Sequence, residues 1–296
     1  MASLEELSRH IAVAADLKSV VHTMKAISAV SIHRHEQAAR TMKQYLANVE
    51  HGLQIVLRTR GRGAGPSPAP AGRERVAVVL AGSEIGLCGA FNERLTAFAR
   101  SHLAAMGVHA GRRLVLTIGA RIDAGWRAEA EPPAAHQEAP ATVDALTATV
   151  GAVLTRLDQW RKDEEVGRLE LFFQRQDAGG GTVPAHMPLW PLDQAWLDDV
   201  AARPWPSRRL PVVMGDPEAV FRRLVRQLLF ARVFTAIIES RTAEHAERLA
   251  AMQAADRSIE EKLEELRIAH RLKRQEVITS ELLDIVSGYE SIVGDA

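Results

Sequence analysis

After Pro217 the sequence runs to Ala296 with no further proline, and glycine returns only at Gly288 and Gly294. Apolar residues recur at Phe221, Leu224 and Leu228, again at Ile259, Leu263 and Leu266, and then at Ile278, Leu282, Ile285, Tyr289 and Ile292. The last set steps 4-3-4-3, the seam of a coiled coil. At standard rise a helix of this length reaches on the order of 110 Å, several times the radius of a compact domain. Such a helix cannot bury itself in one globule and needs a long partner.

The other end of the chain supplies one. Ser3 and Glu6 form the pattern of a capping box. From there to Thr59 no proline occurs, and Gly52 is the only glycine. Val13, Leu17, Val20, Met24 and Ile27 step 4-3-4-3, and Leu46, Val49, Leu53 and Val56 continue at 3-4-3. A second stripe, Leu4, Leu7, Ile11 and Ala14, lies beside the first. The expectation is an antiparallel two-helix coiled coil made by the two ends, with Val13 to Ile27 and Ile278 to Ile292 as seams.

Between the ends the period changes. Residues 61–72, Gly/Pro/Ala/Ser-rich, read as a linker. Continuous apolar runs at 76–80 and 114–118 read as buried strands, and 92–106 reads as a helix capped by Asn92. A short helix follows Gly119, 128–140 has no assigned form, and 142–165 is an amphipathic helix. Residues 169–174 form a strand, 179–181 a turn, and 183–192 a proline-interrupted edge strand. Alternating strands and helices predict a Rossmann-like, mainly parallel α/β sheet. The domain reading is therefore 1–60 and 212–296 as coiled-coil helices, 61–72 as linker, and 73–211 as an inserted α/β foot.

Composition removes several functions. Lys plus Arg and Asp plus Glu are both 37, so net charge gives no argument for nucleic acid, and aromatics at 5% give little for base stacking. The single cysteine, Cys88, excludes an internal disulfide and fits a reducing compartment. No apolar run is long enough for a membrane span, and no signal-peptide core opens the chain. There is no G-x-x-x-x-G-K-[ST], and no G-x-G-x-x-G opens a helix after a strand, so no nucleotide cofactor is expected. His33 and His35 are two apart on a helix and point to different faces, so no metal is expected.

The sharpest enzymatic candidate is Cys88 within Gly86-Leu87-Cys88-Gly89-Ala90, between a strand and a helix. Ala90 stands where a nucleophile elbow has glycine, and a buried cysteine in a glycine-lined junction is the competing reading. A Cys88-dependent α/β hydrolase with helical arms and a free coiled-coil scaffold are the two alternatives. The block Glu260, Glu261, Glu264, Glu265 followed by Arg267, Arg271, Lys273, Arg274 reads as a solvated or partner-facing helix surface.

Three motifs together carry a family resemblance. They are Met24-Lys25-Ala26-Ile27-Ser28-Ala29 near the start, Gly86-Leu87-Cys88-Gly89-Ala90-Phe91-Asn92 after a strand, and a C-terminal run. That run holds Glu239-Ser240, Glu244-His245-Ala246, Arg274-Gln275, Ile278-Thr279, Glu281 and Ile285-Val286-Ser287-Gly288. The sequence resembles the gamma subunits of the rotary F-type ATP synthase. The resemblance implies a rotor, non-catalytic alone, that couples ion-driven rotation of a membrane ring to conformational cycling of catalytic subunits. It implies as partners a hexamer of alpha and beta subunits, the epsilon subunit and the c-ring, with no nucleic acid and with the membrane reached only through the ring.

It also implies a peripheral place on the cytoplasmic face of a bacterial inner membrane. Met24, Lys25, Arg274, Gln275, Thr279 and Asp284 match positions that meet beta subunits. Gly86, Leu87, Cys88, Gly89, Phe91 and Asn92 match the foot loop near epsilon and the ring. Val21-His22 stands where the family usually has Thr-Lys, Val30 to His35 stands where it commonly shows Lys and Arg, and the foot is divergent; together these suggest a divergent or alternate, Na⁺-type complex.

Overall fold

The computed structural model describes residues 3–60, 75–129, 131–205, 207–209 and 211–294, excepting the side chains of Arg60 and of 288–294. The expected linker at 61–72 lies outside the described residues. The elements are α1 (Leu4–Arg60), β1 (Arg75–Ala81), α2 (Phe91–Ala105), β2 (Arg113–Ile118), α3 (Ala120–Glu129), β3 (Ala135–Gln137), α4 (Val143–Asp163), β4 (Val166–Gln176), β5 (Thr182–Trp190), α5 (Gln194–Ala202) and α6 (Pro217–Gly294). Contacts divide the chain into two compact units, Met1–Ser28 with Arg248–Ala296, and Ala29–Glu247.

The first unit is a pair of helix segments. Its start is the predicted capping box: Ser3 N donates to Glu6 Oε2 at 2.8 Å and Glu6 N donates to Ser3 Oγ at 3.1 Å. Cross-helix bonds run Ser8 to His270, Lys18 to Glu260, and Lys25 to Asp256. As one number rises the other falls, so the pairing is antiparallel.

The buried stripe corrects the sequence-based seam. Val13, Leu17, Val20 and Ile27 are each more than half exposed. The shielded positions are Leu4, Leu7, Ile11, Ala14, Lys18, Val21, Lys25 and Ser28, which also step 3-4. The true seam contains two lysines and a serine, and this made the purely apolar neighbouring stripe look like the better one. Lys18 and Lys25 are tolerated because each ammonium meets a carboxylate, at 2.6 and 2.7 Å, while its methylene stem lines the seam. On α6 the shielded positions end at Lys273, and Ile278, Leu282 and Ile285 are 46%, 57% and 68% exposed. The predicted seam at 278–285 therefore has no partner helix among the described residues.

The second unit is a three-layer α/β fold. Its sheet has the order β3-β2-β1-β4-β5, with all pairs parallel except β4 with β5. Side chains alternate across β1, as a sheet covered on both faces requires. Val76, Val78 and Leu80 join α2 and α3 through Leu95, Leu103, Ile122 and Trp126. Ala77, Val79 and Ala81 join α4 and α6 through Leu146, Val150, Val153, Val233, Phe234 and Ile237. A further core joins Val49, Leu53 and Val56 of α1 to Leu197 and Val200 of α5 and to Phe221, Val225 and Leu228 of α6. Here the sequence-based 3-4-3 stripe is the buried one. Gly52 permits the close approach, since a Cβ there would stand 3.0 Å from Leu224 Cδ2.

Two short elements escape the sequence reading. One is β3, three residues long, inside 128–140. The other is α5, which Asp193 caps by accepting from Ala195 N at 3.0 Å. On the outermost strand, β5, Pro184 and Pro188 each remove a backbone donor.

The exposure pattern separates two substitutions. Val21→Asp places a carboxylate in the seam of the first unit and is expected to cost about 3 kcal/mol of helix-pair stability. Leu282→Asp is expected to change it by less than about 0.5 kcal/mol. Urea unfolding followed by circular dichroism, with hydrogen exchange on 4–28, distinguishes them.

Candidate functional site

The sequence-predicted residues fall into three settings. On the first unit, Arg274, Gln275, Thr279 and Asp284 are all exposed on α6, and Thr279 Oγ1 donates back to Gln275 O at 2.8 Å. Met24 is half-buried at the edge of the seam. Lys25 is also half-buried, and its ammonium is engaged by Asp256 at 2.7 Å. The hydrogen bond from Lys25 holds the Asp256 carboxyl below the usual carboxylate range, with His22 and Lys18 adding to the effect. The outer stripe of α1, Val13, Leu17, Val20 and Ile27, presents an apolar row to the surroundings.

On the second unit the loop after β1 splits in two. Leu87 is exposed, Gly89 is exposed and Gly86 partly so. Leu87 holds a φ of 64°, a left-handed conformation that costs a branched residue roughly 1–2 kcal/mol. The other three predicted residues face inward. Cys88 and Phe91 are buried against Ala243 of α6. Asn92 is buried too, and it is no N-cap: α2 starts one residue earlier, at Phe91, with Ala90 preceding it. Its Oδ1 accepts from Ser83 N at 3.0 Å and its Nδ2 donates to Ser83 Oγ at 2.8 Å. The sidechain thus satisfies the strand-to-loop backbone, which is why a cap-type residue stands near a helix start without capping it.

In a doubly wound sheet a ligand is held outside the carboxyl ends of the strands where the winding reverses. Here that point lies between β1, which leads to β2 and β3, and β4, which leads to β5. The place is filled by the chain itself. Ser240 of α6 donates from Oγ to Ala81 O at 2.6 Å and accepts from Gln174 N at 3.3 Å. Gln174 Nε2 donates to Phe91 O at 2.7 Å. Gly82 N bonds Ile118 O at 3.0 Å, and Arg121 N bonds Ser83 O at 3.0 Å. The N–H groups of Gly82, Arg121 and Gln174 are thus engaged within the chain. No group of three or more His, Cys, Asp or Glu able to hold a metal occurs among the described residues.

A polar belt crosses the second unit where α1 meets α6. His35 and His245 stack with ring centroids 5.3 Å apart, and Arg241 is paired with Glu244. Burial, with the Arg241 charge adding to it, lowers the His35 pKa to about 4.

Sequence reasoning missed Ser240 as a structural bond, and missed Asp256 and Glu260 as partners of lysines. The signal for Ser240 was present: a small hydroxyl residue stands two positions after the apolar run that ends at Ile238.

A protein-family model described as ATP synthase matches residues 3–292. The chain belongs to the ATP synthase family. Among curated relatives, the ATP synthase gamma chain of Jannaschia sp. (strain CCS1) is 24% identical, covering 99% of this chain and all of that one. The ATP synthase gamma chain of Rubrobacter xylanophilus is 27% identical, covering 99% of both. Among solved structures, the rotor of the Euglena gracilis mitochondrial ATP synthase matches with a TM-score of 0.63 at 13% identity, over 93% of this chain and 98% of that one. A chain of the same enzyme's OSCP/F1/c-ring assembly matches with a TM-score of 0.64 at 16% identity, over 98% of this chain and 94% of that one. In this ATP synthase family member, as in those structures, an α/β sheet is joined to long N- and C-terminal helices.

Two outcomes follow from the local geometry. Unfolded His35 takes a proton near pH 6.5 and folded His35 only near pH 4, so stability falls as pH drops from 6.5 to 4. The loss is up to roughly 3 kcal/mol, and His35→Gln is expected to flatten it in urea titrations run across that range. Leu87→Gly relieves the left-handed residue and is expected to leave stability unchanged or raise it by up to about 1 kcal/mol, read by the same titration at pH 7.

Proposed function

We propose that this chain is the gamma subunit, the central-stalk rotor of a rotary ATP synthase, non-catalytic alone and working inside a hexamer of alpha and beta subunits above a c-ring. One observation carries this reading: gamma chains match it from end to end, and the shared architecture is a helix pair joined to an α/β sheet. The long helices present apolar rows, Val13 to Ile27 and Ile278 to Ile285, that the chain leaves uncovered among the described residues. Exposed rows of this spacing suit a shaft surrounded by other subunits.

The physics is a population shift. A shaft with different side chains around its circumference offers each catalytic subunit different contacts, and only a difference in contact biases their conformations. Arg274, Gln275, Thr279 and Asp284 are exposed polar groups suited to meeting beta subunits, with Met24 at the seam edge beside them in role. Lys25 would act there chiefly by holding Asp256. In the foot, proposed as 73–211 between helical segments 1–60 and 212–296, Gly86, Leu87 and Gly89 form the loop offered to epsilon and the ring. Cys88, Phe91 and Asn92 would support that loop from beneath.

No helix among the described residues is long and apolar enough to cross a membrane. Attachment to the cytoplasmic face of a bacterial inner membrane would therefore run through the ring. The hydrolase reading loses its nucleophile, since Cys88 is 1% exposed and packed on Phe91 and Ala243.

Co-expression with alpha and beta subunits is expected to give a 3:3:1 complex that hydrolyses ATP. Gln275→Ala with Thr279→Ala is expected to lower that hydrolysis severalfold, while the stability of the chain itself stays within about 0.5 kcal/mol. A monomeric chain that joins no such complex would refute the rotor reading.

A further inference from the structure

The bond between α6 and the sheet has a mechanical meaning that deepens the rotor reading and rests on it. The register of β1 with β4 ends at Leu80↔Phe172. Just beyond, Ala81 O and Gln174 N both turn to the hydroxyl of Ser240, which donates to one and accepts from the other. A side chain of α6 thus completes the ladder between two parallel strands.

The surrounding contacts are of another kind. On one side of Ser240, Val233, Phe234, Ala236, Ile237 and Ile238 lie in the sheet core, and on the other Ala243 packs on Cys88 and Phe91. Apolar contacts hold a helix down and resist large turns through packing, but the attraction itself has no preferred angle. Hydrogen bonds depend on angle and resist such turning. Ser240 is 1% exposed, so water does not compete for its two bonds. Another polar link from this stretch of α6 to the loop side, Glu247 with Arg94, lies at a partly exposed position where ion pairs are weak.

We propose that Ser240 is a positioning residue that fixes the rotational phase of α6 against the foot sheet, so that helix and sheet turn as one body under torque. The signature loop shares in this joint from its buried side, because Gln174 ties Phe91 to the same place.

The test uses the assembled rotary complex with a bead on the foot and the hexamer fixed to a surface. Ser240→Ala is expected to lower torsional stiffness about twofold or more, with ATP hydrolysis in free solution little changed. Leu146→Ala, on α4 in the same sheet core but taking no part in the Ser240 bonds, is expected to reduce thermal stability and leave stiffness as in the parent. Unchanged stiffness in Ser240→Ala, or an equal fall in Leu146→Ala, would overturn the proposal. Should Ser240→Ala not assemble, Ser240→Cys, a weaker donor, must give intermediate stiffness, and parental stiffness there overturns it equally. Failure of the parent chain itself to form the complex would count against the rotor reading instead.

Discussion

Two segments at opposite ends of one chain can pack along each other only if their register is fixed, and this is done by charge placed inside the seam. Lys18 with Glu260 and Lys25 with Asp256 are separated by seven residues on one helix and four on the other, so one sliding step mismatches both pairs. Partly exposed ion pairs contribute little to stability, on the order of 0.2–1 kcal/mol each. Their larger effect is on specificity, because a slipped register sets two ammonium groups against apolar residues of the facing helix, such as Met252 and Leu263. Apolar packing supplies the attraction and the lysines select the alignment.

The α/β unit shows a related economy. Its topology provides a ligand crevice between β1 and β4, and α6 occupies it with one hydroxyl. A fold widely used to hold nucleotides is here closed by its own chain. Fold and chemistry therefore separate: a sheet of this topology serves here as a base for helices. The 86–92 loop beside it is two-sided, with Leu87 exposed and left-handed while Cys88, Phe91 and Asn92 are buried.

Much of this was legible in the sequence. The capping box, the Gly119 strand end and the proline-marked edge strand all obey local rules, and the structure keeps them. The seam of the first unit was misread for a physical reason. Periodicity scores hydrophobicity, and an outward row of Val13, Leu17, Val20 and Ile27 scores above an inward row carrying Lys18, Lys25 and Ser28. An exposed apolar row looks like a core when hydrophobicity alone is scored. Asn92 was misread similarly, since its local position suits a cap while its side chain serves Ser83, nine residues away in sequence. Both errors come from long-range pairing, which no local pattern contains. Ser240 is of the same type, joined to Ala81 across 159 residues.

The outermost strand has a consequence for the chain before assembly. With donors missing at Pro184 and Pro188, β5 is a poor template for a strand from a second molecule. Copies synthesised in excess of their partners would not stack sheet to sheet into fibrils by that route. With that edge blunted, the greasy helix flanks offer surplus chain a route to clumping that is reversible by detergent and lacks the backbone ladder that makes amyloid permanent.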